Sequence, residues 1–180
     1  MTAMPGCLVL IVGPSGAGKD TVMRAARDAL AGSPGFLFPR RIITRPADAT
    51  EDHLPATPAE FAAHAFALRW QAHGLSYGIP ATIVPALGEG GVVVANVSRA
   101  VVAEARRRFR CHVVEITASA PVLAARLAGR GREAPAAIAA RLARAAAASG
   151  ADETIVNETT PEAAGARLAA ILRRCASRGA

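Results

Sequence analysis

A glycine-rich stretch near the start of the chain combines residue types that can hold phosphate. Gly13, Gly18 and Lys19 have the spacing G-x-x-x-x-G-K, between an apolar run and a helix-like segment, which is the context of a phosphate-binding loop. Glycines allow successive backbone N–H groups to turn around a phosphate, and the following helix N-terminus and lysine add positive charge. The alternative is a tight strand-to-helix turn with an exposed lysine. The residues expected to bind a nucleotide are Gly13, Pro14, Ser15, Gly16, Ala17, Gly18, Lys19, Asp20 and Thr21.

Asp20 stands directly after Lys19, where this loop usually carries a serine or threonine whose hydroxyl reaches magnesium. The strand that is predicted to end at Asn96 has no obvious carboxylate that could take over this role. Because magnesium prefers oxygen ligands, we expect Asp20 to serve the metal, directly or through water. The alternative is an aspartate that only stabilises a helix start through the helix dipole.

Arginines form two clusters in the sequence. Arg40, Arg41 and Arg45 lie on and just after a predicted second strand, and a second group lies in the segment RLAGRGRE and the helix after it. In a doubly wound sheet the loops after the strands converge on the ligand, and a guanidinium can grip phosphate with two hydrogen bonds. The alternative is a set of solvated surface arginines. The second cluster consists of Arg126, Arg130, Arg132, Arg141 and Arg144.

The charge balance favours a small anionic substrate. The chain has 21 Lys and Arg against 14 Asp and Glu, a formal net charge of +7. Nucleic acid binding would call for aromatic side chains that stack on bases, and aromatics make up only 4% of the residues. The N-terminal apolar run has no basic region ahead of it and is too short to span a bilayer. We therefore expect no nucleic-acid or membrane partner, and a cytoplasmic protein whose three cysteines are reduced thiols.

Strand-like and helix-like segments alternate along the 180 residues, which predicts one α/β domain with a mainly parallel sheet and helices on both faces. The segments expected to form strands are LVLIV, FLFPRRIITRP, GVVVANV, CHVVEIT and ETIVN. Residues that can cap helices predict where the helices begin. These residues are Thr57 with Glu60, Ser98, Ser119 with Pro121, and Thr159 with Glu162.

Eight segments occur in the order seen in one enzyme family and cover nearly the whole chain: GPSGAGKDT, RRIITRP, EDH, WQAHGLSYGIP, NVSRAVV, RLAGRGRE, ARLARA and IVNE. The loop and the arginine-rich segment are shared with many nucleoside monophosphate kinases, whereas ITRP, W-x-A-H-G-L-x-Y-G-I and N-V-S-R-A are far more specific. In these segments the chain resembles the ribose 1,5-bisphosphate phosphokinases, relatives of guanylate kinase. The resemblance implies a three-layer α/β/α P-loop kinase, with a small acceptor-binding insertion at about residues 36–88 and an arginine-rich lid at about 126–144.

The resemblance also implies a reaction. The family transfers the γ-phosphoryl group of ATP, with Mg²⁺, to ribose 1,5-bisphosphate and forms 5-phosphoribosyl 1-diphosphate (PRPP). This places the enzyme in phosphonate breakdown and in the supply of PRPP for NAD biosynthesis. The implied partner is a small phosphorylated sugar, and the sequence leaves open whether the protein is a homodimer.

Residue by residue, the resemblance implies an acceptor site and a donor site. In the guanylate kinase pattern, the second-strand arginines and the tyrosine of a Y-G turn hold the acceptor phosphate, and the matching residues are Arg41, Arg45 and Tyr77. Guanylate kinases recognise the base with an aspartate and a tyrosine. Near the corresponding positions this chain has Asn96 and His53 instead. The full expected acceptor set is Arg41, Arg45, His53, His73, Tyr77, Asn96, Ser98 and Arg99. Expected on the donor and catalytic side are Lys19, Arg126, Asn157, Arg130, Arg132 and Arg141.

Two alternative functions remain at this point. A phosphate acceptor needs no added base, because its oxygen is already ionised near neutral pH, whereas a kinase acting on a hydroxyl would want a carboxylate. Asp48, Glu51 or Asp52 could supply one, which keeps a guanylate or other nucleoside monophosphate kinase, or a small sugar kinase, as the first alternative. The second is a non-catalytic P-loop module, against which Lys19 and the arginine clusters argue.

Two aromatic or titratable residues near the acceptor segment have structural alternatives. Trp70 lies in an extended apolar stretch and is expected in the core rather than as a stacking platform. His73 is expected to contact the acceptor's phosphate or ribose, with a purely structural histidine as the alternative.

Overall fold

The computed structural model describes residues 5–46, 52–128 and 150–177. Within these ranges the strands are β1 (Cys7–Val12), β2 (Phe36–Leu37), β3 (Arg41–Ile43), β4 (His53–Pro55), β5 (Phe66–Ala72), β6 (Leu75–Pro80), β7 (Val92–Asn96), β8 (Cys111–Thr117) and β9 (Glu153–Val156). The helices are α1 (Lys19–Ala29), α2 (Pro58–Ala63), α3 (Val84–Gly88), α4 (Val102–Arg108), α5 (Ala120–Ala128) and α6 (Pro161–Ser177). Short 3₁₀ turns at Ala81–Ile83 and Arg99–Val101 lead into α3 and α4.

A five-stranded sheet has the order β2-β7-β1-β8-β9. Strands β2 and β7 pair in parallel, as do β8 and β9. Every residue of β1 and of β7 is buried, as expected for parallel strands that are covered on both faces. This confirms the mainly parallel α/β sheet predicted from the sequence.

A second sheet has four strands in the order β4-β3-β6-β5. Strand β3 pairs in parallel with β4 and antiparallel with β6, and β5 and β6 form a hairpin. The two residues between β5 and β6 are His73 and Gly74, which both have positive φ angles, 54° and 72°. Positive φ at both central residues is the geometry of a tight hairpin turn whose twist matches that of its strands.

The single extended strand predicted for FLFPRRIITRP is wrong. The segment breaks around Pro39 into β2, which belongs to the five-stranded sheet, and β3, which belongs to the four-stranded sheet. Proline has no N–H to donate to a neighbouring strand, so it favours a break between the two pairings. Arg41 therefore lies on a strand of the second sheet, and Arg40 and Arg45 flank that strand.

The chain divides into two compact units. The first consists of Met1–Leu10, Gly32–His112 and Leu172–Ala180, and the second of Ile11–Ala31 and Val113–Ile171. In the second unit, α6 approaches α1 so closely that a Cβ on Gly165 would collide with Ala25. That these units make up one kinase domain stays a prediction.

Helix starts follow the capping residues in most cases. Thr57 and Glu60 form the predicted capping box of α2, and each side chain binds the other residue's backbone N–H. The hydroxyl of Ser98 accepts from Ala100 N and caps the 3₁₀ turn before α4. The prediction for α6 is off by one residue, because Thr160 is the cap and its hydroxyl accepts from the N–H of Ala163. None of the helices in the described ranges has the length and hydropathy needed to cross a bilayer.

Candidate functional site

The glycine-rich loop joins β1 to α1 in the conformation of a phosphate cradle. Gly13, Gly16 and Gly18 have φ angles of 142°, 86° and 81°, all in the region that favours glycine. The ammonium group of Lys19 donates to the carbonyl oxygens of Gly13 at 2.9 Å and Pro14 at 3.0 Å. The lysine is thus folded back over the loop, with its charge beside the N-terminal end of α1. This is an arrangement that attracts a phosphate.

Neighbouring atoms require glycine at two positions of this loop. A Cβ on Gly13 would collide with the carbonyl oxygen of Ile116 in β8. A Cβ on Gly18 would lie 2.7 Å from the side-chain nitrogen of Asn157, closer than real Cβ atoms approach their neighbours. The G-x-x-x-x-G spacing therefore reflects close packing as well as backbone freedom.

Asn157 and Arg126 hold the loop from the side. The Nδ2 group of Asn157 donates to the carbonyl of Ala17 at 2.8 Å, and Arg126 Nη2 donates to the carbonyl of Asn157 at 2.9 Å. Asn157 is only 4% exposed. Its Oδ1 and the Nη1 of Arg126 are buried without a hydrogen-bond partner in the described part of the chain. Because such polar atoms are normally satisfied, they are candidate contacts for a bound nucleotide.

The segments that follow β8 and β9 are tied together next to Asn157. The backbone N–H of Ser119 donates to the carboxylate of Glu158 at 2.5 Å. Hydrogen bonds from Ser119 lower the pKa of Glu158 below its usual value. This contact fixes the chain just beyond Asn157 and at the start of α5.

Asp20 lies in the first turn of α1 and is exposed. Across the described ranges, no group of three or more His, Cys, Asp or Glu side chains could hold a metal ion. A magnesium ion that is bound mainly by substrate phosphates and water needs only one or two protein carboxylates. Asp20 fits such a site, and its role as a metal ligand stays a prediction.

The arginines of the first cluster are anchored on the four-stranded sheet. Arg41, on β3, donates from Nη1 to the carbonyl of Asn96 at 3.4 Å. The Nε2 of His53 lies 3.2 Å from the carbonyl of Arg45, and the carbonyl accepts. Arg40 donates to the carbonyl of His53 at 2.9 Å and forms an ion pair with Asp52 at 2.7 Å.

His53 and Asn96 are buried, at 1% and 6% exposure. The sequence predicts that both contact the acceptor, but the structure shows that each holds an arginine-bearing segment. The ring of His53 meets the backbone of Arg45, and the carbonyl of Asn96 meets the side chain of Arg41. A direct contact between either residue and an acceptor stays a prediction.

Tyr77 and Trp70 form a parallel stack on the hairpin. Their ring centroids are 5.5 Å apart and their planes differ by 8°. Both residues are half-buried, so Trp70 is not the fully buried core residue that the sequence predicts, and its stacking partner is a side chain of the same hairpin. The glycine after Tyr77 is required by packing, because a Cβ on Gly78 would collide with the ring of Phe66.

The remaining predicted site residues occupy varied positions. His73 is exposed in the hairpin turn, and Ser98 and Arg99 are half-buried at the end of β7. Thr21 is half-buried in the first turn of α1. Some predicted residues lie outside the described ranges, namely Asp48, Glu51, Arg130, Arg132, Arg141 and Arg144.

One polar cluster has no counterpart in the sequence analysis. Cys7 and Cys175 are buried in the first unit, and Arg110 donates to the carbonyl of Cys175 at 2.8 Å. A hydrogen bond from the Cys175 thiol, together with the charge of Arg110, lowers the pKa of Cys7 to about 6. The two cysteines are so far apart in sequence that no spacing pattern predicts their contact.

No protein-family model matches the chain. The chain is 64% identical over 170 residues to the ribose 1,5-bisphosphate phosphokinase PhnN of Acidiphilium cryptum, with 94% of each chain covered. It is 54% identical over 177 residues to the ribose 1,5-bisphosphate phosphokinase PhnN of Methylobacterium radiotolerans, covering 96% of this chain and all of the relative.

Solved structures show the same fold at low sequence identity. The guanylate kinase from Anaplasma phagocytophilum superposes with a TM-score of 0.69 at 18% identity, covering 96% of this chain and 87% of that one. A gluconokinase from Sinorhizobium meliloti 1021 superposes with a TM-score of 0.51 at 18% identity, covering 98% of this chain and 96% of that one. These likenesses confirm the predicted P-loop kinase fold.

Proposed function

The chain belongs to the family of ribose 1,5-bisphosphate phosphokinases, and from that membership we propose that it transfers the γ-phosphoryl group of ATP to ribose 1,5-bisphosphate. An oxygen of the 1-phosphate attacks the γ-phosphorus, the bond to the β-phosphate oxygen breaks, and ADP and PRPP leave. The observation that carries the proposal is 64% identity to a relative of that name over 94% of both chains.

The donor phosphates bind in the loop between β1 and α1. Gly13, Gly16 and Gly18 have the angles that turn N–H groups inward. The ammonium of Lys19 exchanges its carbonyl partners at Gly13 and Pro14 for the β- and γ-phosphates. A charge-assisted contact of this kind is worth roughly 1.5–3 kcal/mol, so Lys19 supports both donor binding and the charge that moves during transfer.

Asn157 and Arg126 complete the donor side. The buried Oδ1 of Asn157 and Nη1 of Arg126 lack partners among the described residues, and a buried polar group without a partner costs roughly 1–3 kcal/mol. A nucleotide that offers one donor and one acceptor would satisfy both atoms. We therefore assign both residues to the donor site.

Magnesium, when bound, would neutralise charge on the donor phosphates. Asp20 would hold it, because its carboxylate is exposed in the first turn of α1, directly after the phosphate-binding lysine. Hard oxygen ligands suit this ion.

The acceptor binds to Arg41, Arg45 and Tyr77. Ribose 1,5-bisphosphate carries two phosphates, and an arginine fork matches phosphate geometry and stays charged at physiological pH. Arg41 is anchored through Asn96 and Arg45 through His53, so both segments are fixed before the acceptor arrives. Pre-arranged groups of this kind lower the entropic cost of aligning the acceptor.

The chemistry at the acceptor needs no general base from the protein. The second pKa of a phosphate monoester is about 6, so the attacking oxygen is ionised near neutral pH. The side chains therefore act by alignment and by neutralising charge. The carboxylate of Asp52, a candidate base for a hydroxyl acceptor, is paired with Arg40 at 2.7 Å.

Two buried residues favour this acceptor over a guanine nucleotide. Asn96 and His53 stand near the places from which guanylate kinases read the base, and here both are buried and support arginine segments. The likeness to guanylate kinase, at 18% identity, concerns the fold. The proposed setting is the cytoplasm, in phosphonate breakdown and PRPP supply, with a small phosphorylated sugar as the partner.

A panel of acceptors tests the proposal. Purified protein, ATP and magnesium are combined with ribose 1,5-bisphosphate, ribose 5-phosphate, GMP or gluconate, and ADP release is followed. The proposal predicts the highest kcat/KM for ribose 1,5-bisphosphate. A higher kcat/KM for GMP or gluconate would overturn the proposal in favour of the nucleotide or sugar kinase alternative. If no acceptor led to ADP release, the result would favour the non-catalytic module.

A further inference from the structure

The stack of Trp70 and Tyr77 contains the only tryptophan and the only tyrosine of the chain. The two residues are cross-strand partners in the hairpin of β5 and β6. Their rings are nearly parallel, with centroids 5.5 Å apart, which is within the range of favourable offset stacking. Both side chains are half-buried, so part of each remains accessible to solvent.

The stack lies on the same sheet face as an acceptor-side arginine. Tyr77 is paired with Ile43 of β3 on its other side, and directly opposed residues in antiparallel strands point to the same face. Arg41 lies two residues before Ile43 on β3, so strand alternation puts its side chain on that face too. Trp70 therefore packs against the phenol ring of Tyr77 from β5, on the opposite side of β6 from β3, the strand that carries Arg41.

We propose that Trp70 is a positioning residue for the acceptor, holding the ring of Tyr77 in the orientation from which its hydroxyl binds the acceptor phosphate. This inference rests on the proposed function, because it takes Tyr77 as a phosphate contact. Without the indole, one side of the phenol ring loses its neighbour and the ring can enter other staggered rotamers. Trp70 itself does not touch the acceptor.

The expected effect is on acceptor binding and not on the chemical step. When only a fraction of molecules has the binding-competent arrangement, the apparent dissociation constant rises by the inverse of that fraction. If Tyr77 keeps its position in about a third to a tenth of molecules, the acceptor KM rises about threefold to tenfold. Since the hydroxyl holds the phosphate equally in the ground and transition states, kcat should stay within about twofold.

A double-mutant cycle with Trp70→Leu and Tyr77→Phe isolates this role. Trp70→Leu should raise the acceptor KM about threefold to tenfold, with the KM for ATP unchanged. Trp70→Phe keeps an aromatic face and should stay within about twofold of wild type. In the Tyr77→Phe background, which lacks the hydroxyl, Trp70→Leu should add no further change in KM.

Two results would overturn the inference. One is an equal rise in KM from Trp70→Leu with and without the tyrosine hydroxyl, and the other is a loss in Trp70→Phe as large as in Trp70→Leu. Either would mean that Trp70 only supports the sheet. If Trp70→Leu does not fold, Trp70→Met enters the same cycle.

The proposed function is checked separately by the acceptor preference of the wild-type protein. If wild type prefers GMP, that function fails, and the cycle is run with GMP. The role of Trp70 is then tested by the same coupling between Trp70→Leu and Tyr77→Phe, measured with GMP as the acceptor.

Discussion

The side-chain amide of Asn157 donates a 2.8 Å hydrogen bond to the backbone carbonyl of Ala17, inside the phosphate-binding loop. Asn157 directly follows β9, and Ala17 lies two residues before the start of α1. Both residues are buried. The loop that is expected to hold the donor is thereby anchored to a residue 140 positions later in the chain.

Replacing Asn157 by Ala should loosen the loop. The carbonyl of Ala17 would lose its buried donor, which costs roughly 1–3 kcal/mol. We expect Tm to fall by about 2–4 °C for each kcal/mol lost, and the KM for ATP to rise more than the KM for the acceptor. Thermal unfolding and two-substrate kinetics measure these changes.

Glu158→Gln is the control for this change, because it alters the exposed neighbour of Asn157 but keeps a side-chain oxygen that can accept the hydrogen bond from Ser119. It should leave the KM for ATP near the wild-type value. If Asn157→Ala raised the acceptor KM alone, its assignment to the donor side would be wrong.

Arg41→Gln should weaken acceptor binding. The substitution removes a charged contact to phosphate worth roughly 1.5–3 kcal/mol, which corresponds to about a tenfold to hundredfold loss in kcat/KM for the acceptor. The KM for ATP should stay within about twofold. Steady-state kinetics with each substrate varied in turn measures both.

Arg69→Gln is the matched control for Arg41. Arg69 is exposed on β5 of the same sheet, and as the neighbour of Trp70 it points to the opposite face. It should have near wild-type kinetics. A loss of ATP affinity in Arg41→Gln would move Arg41 to the donor side.

Asp20→Asn should raise the magnesium concentration needed for half-maximal activity by about tenfold, the size of one charged contact of roughly 1.5 kcal/mol. The control is Asp28→Asn, because Asp28 lies in the last turn of the same helix and is also exposed. This variant should leave the magnesium dependence unchanged. A magnesium titration of both variants decides the matter. An unchanged requirement in Asp20→Asn would reduce Asp20 to a residue that stabilises the helix start.

Cys7 predicts a pH dependence of stability. Its thiol hydrogen bond with Cys175 and the charge of Arg110 lower its pKa from 9.0 to about 6. An acid whose pKa is lowered on folding adds stability that is complete above its unfolded pKa and is lost as pH falls through its folded pKa. The Tm difference between wild type and Cys7→Ala should therefore grow from about pH 6 to about pH 9.

Cys111→Ala is the control, because Cys111 lies on β8 and is less buried than Cys7. Its Tm should follow pH as wild type does. A difference between wild type and Cys7→Ala that is constant over this range would show that Cys7 titrates normally.

Local signals predicted the phosphate loop. The glycine spacing, the apolar run before it and the helix after it are all close in sequence, and each imposes its own constraint on the backbone. The same holds for the capping box of α2, where Thr57 and Glu60 are three residues apart. By contrast, Thr159 and Thr160 are chemically identical, and the position of Pro161 at the helix start makes Thr160 the cap.

Contacts between distant segments could not be predicted in the same way. The split of FLFPRRIITRP between two sheets depends on the neighbours of each half. Strand β2 lies beside β7 in the five-stranded sheet, whereas β3 lies between β4 and β6 in the four-stranded sheet. The burial of His53 against Arg45 depends on the pairing of β4 with β3. Residue type predicted acceptor contacts for His53 and Asn96, and these stay predictions. The contacts that tertiary structure creates join the ring of His53 to the backbone of Arg45, and the backbone carbonyl of Asn96 to the side chain of Arg41.

The identity of the product tests the central claim most directly. Purified protein is incubated with ATP, magnesium and ribose 1,5-bisphosphate, and the mixture is followed by phosphorus NMR. The account predicts that the 1-phosphate signal is replaced by those of a diphosphate ester, in equal amount with ADP, and that GMP under the same conditions yields little GDP. Formation of ADP with free phosphate while ribose 1,5-bisphosphate persists, or faster conversion of GMP to GDP, would contradict it.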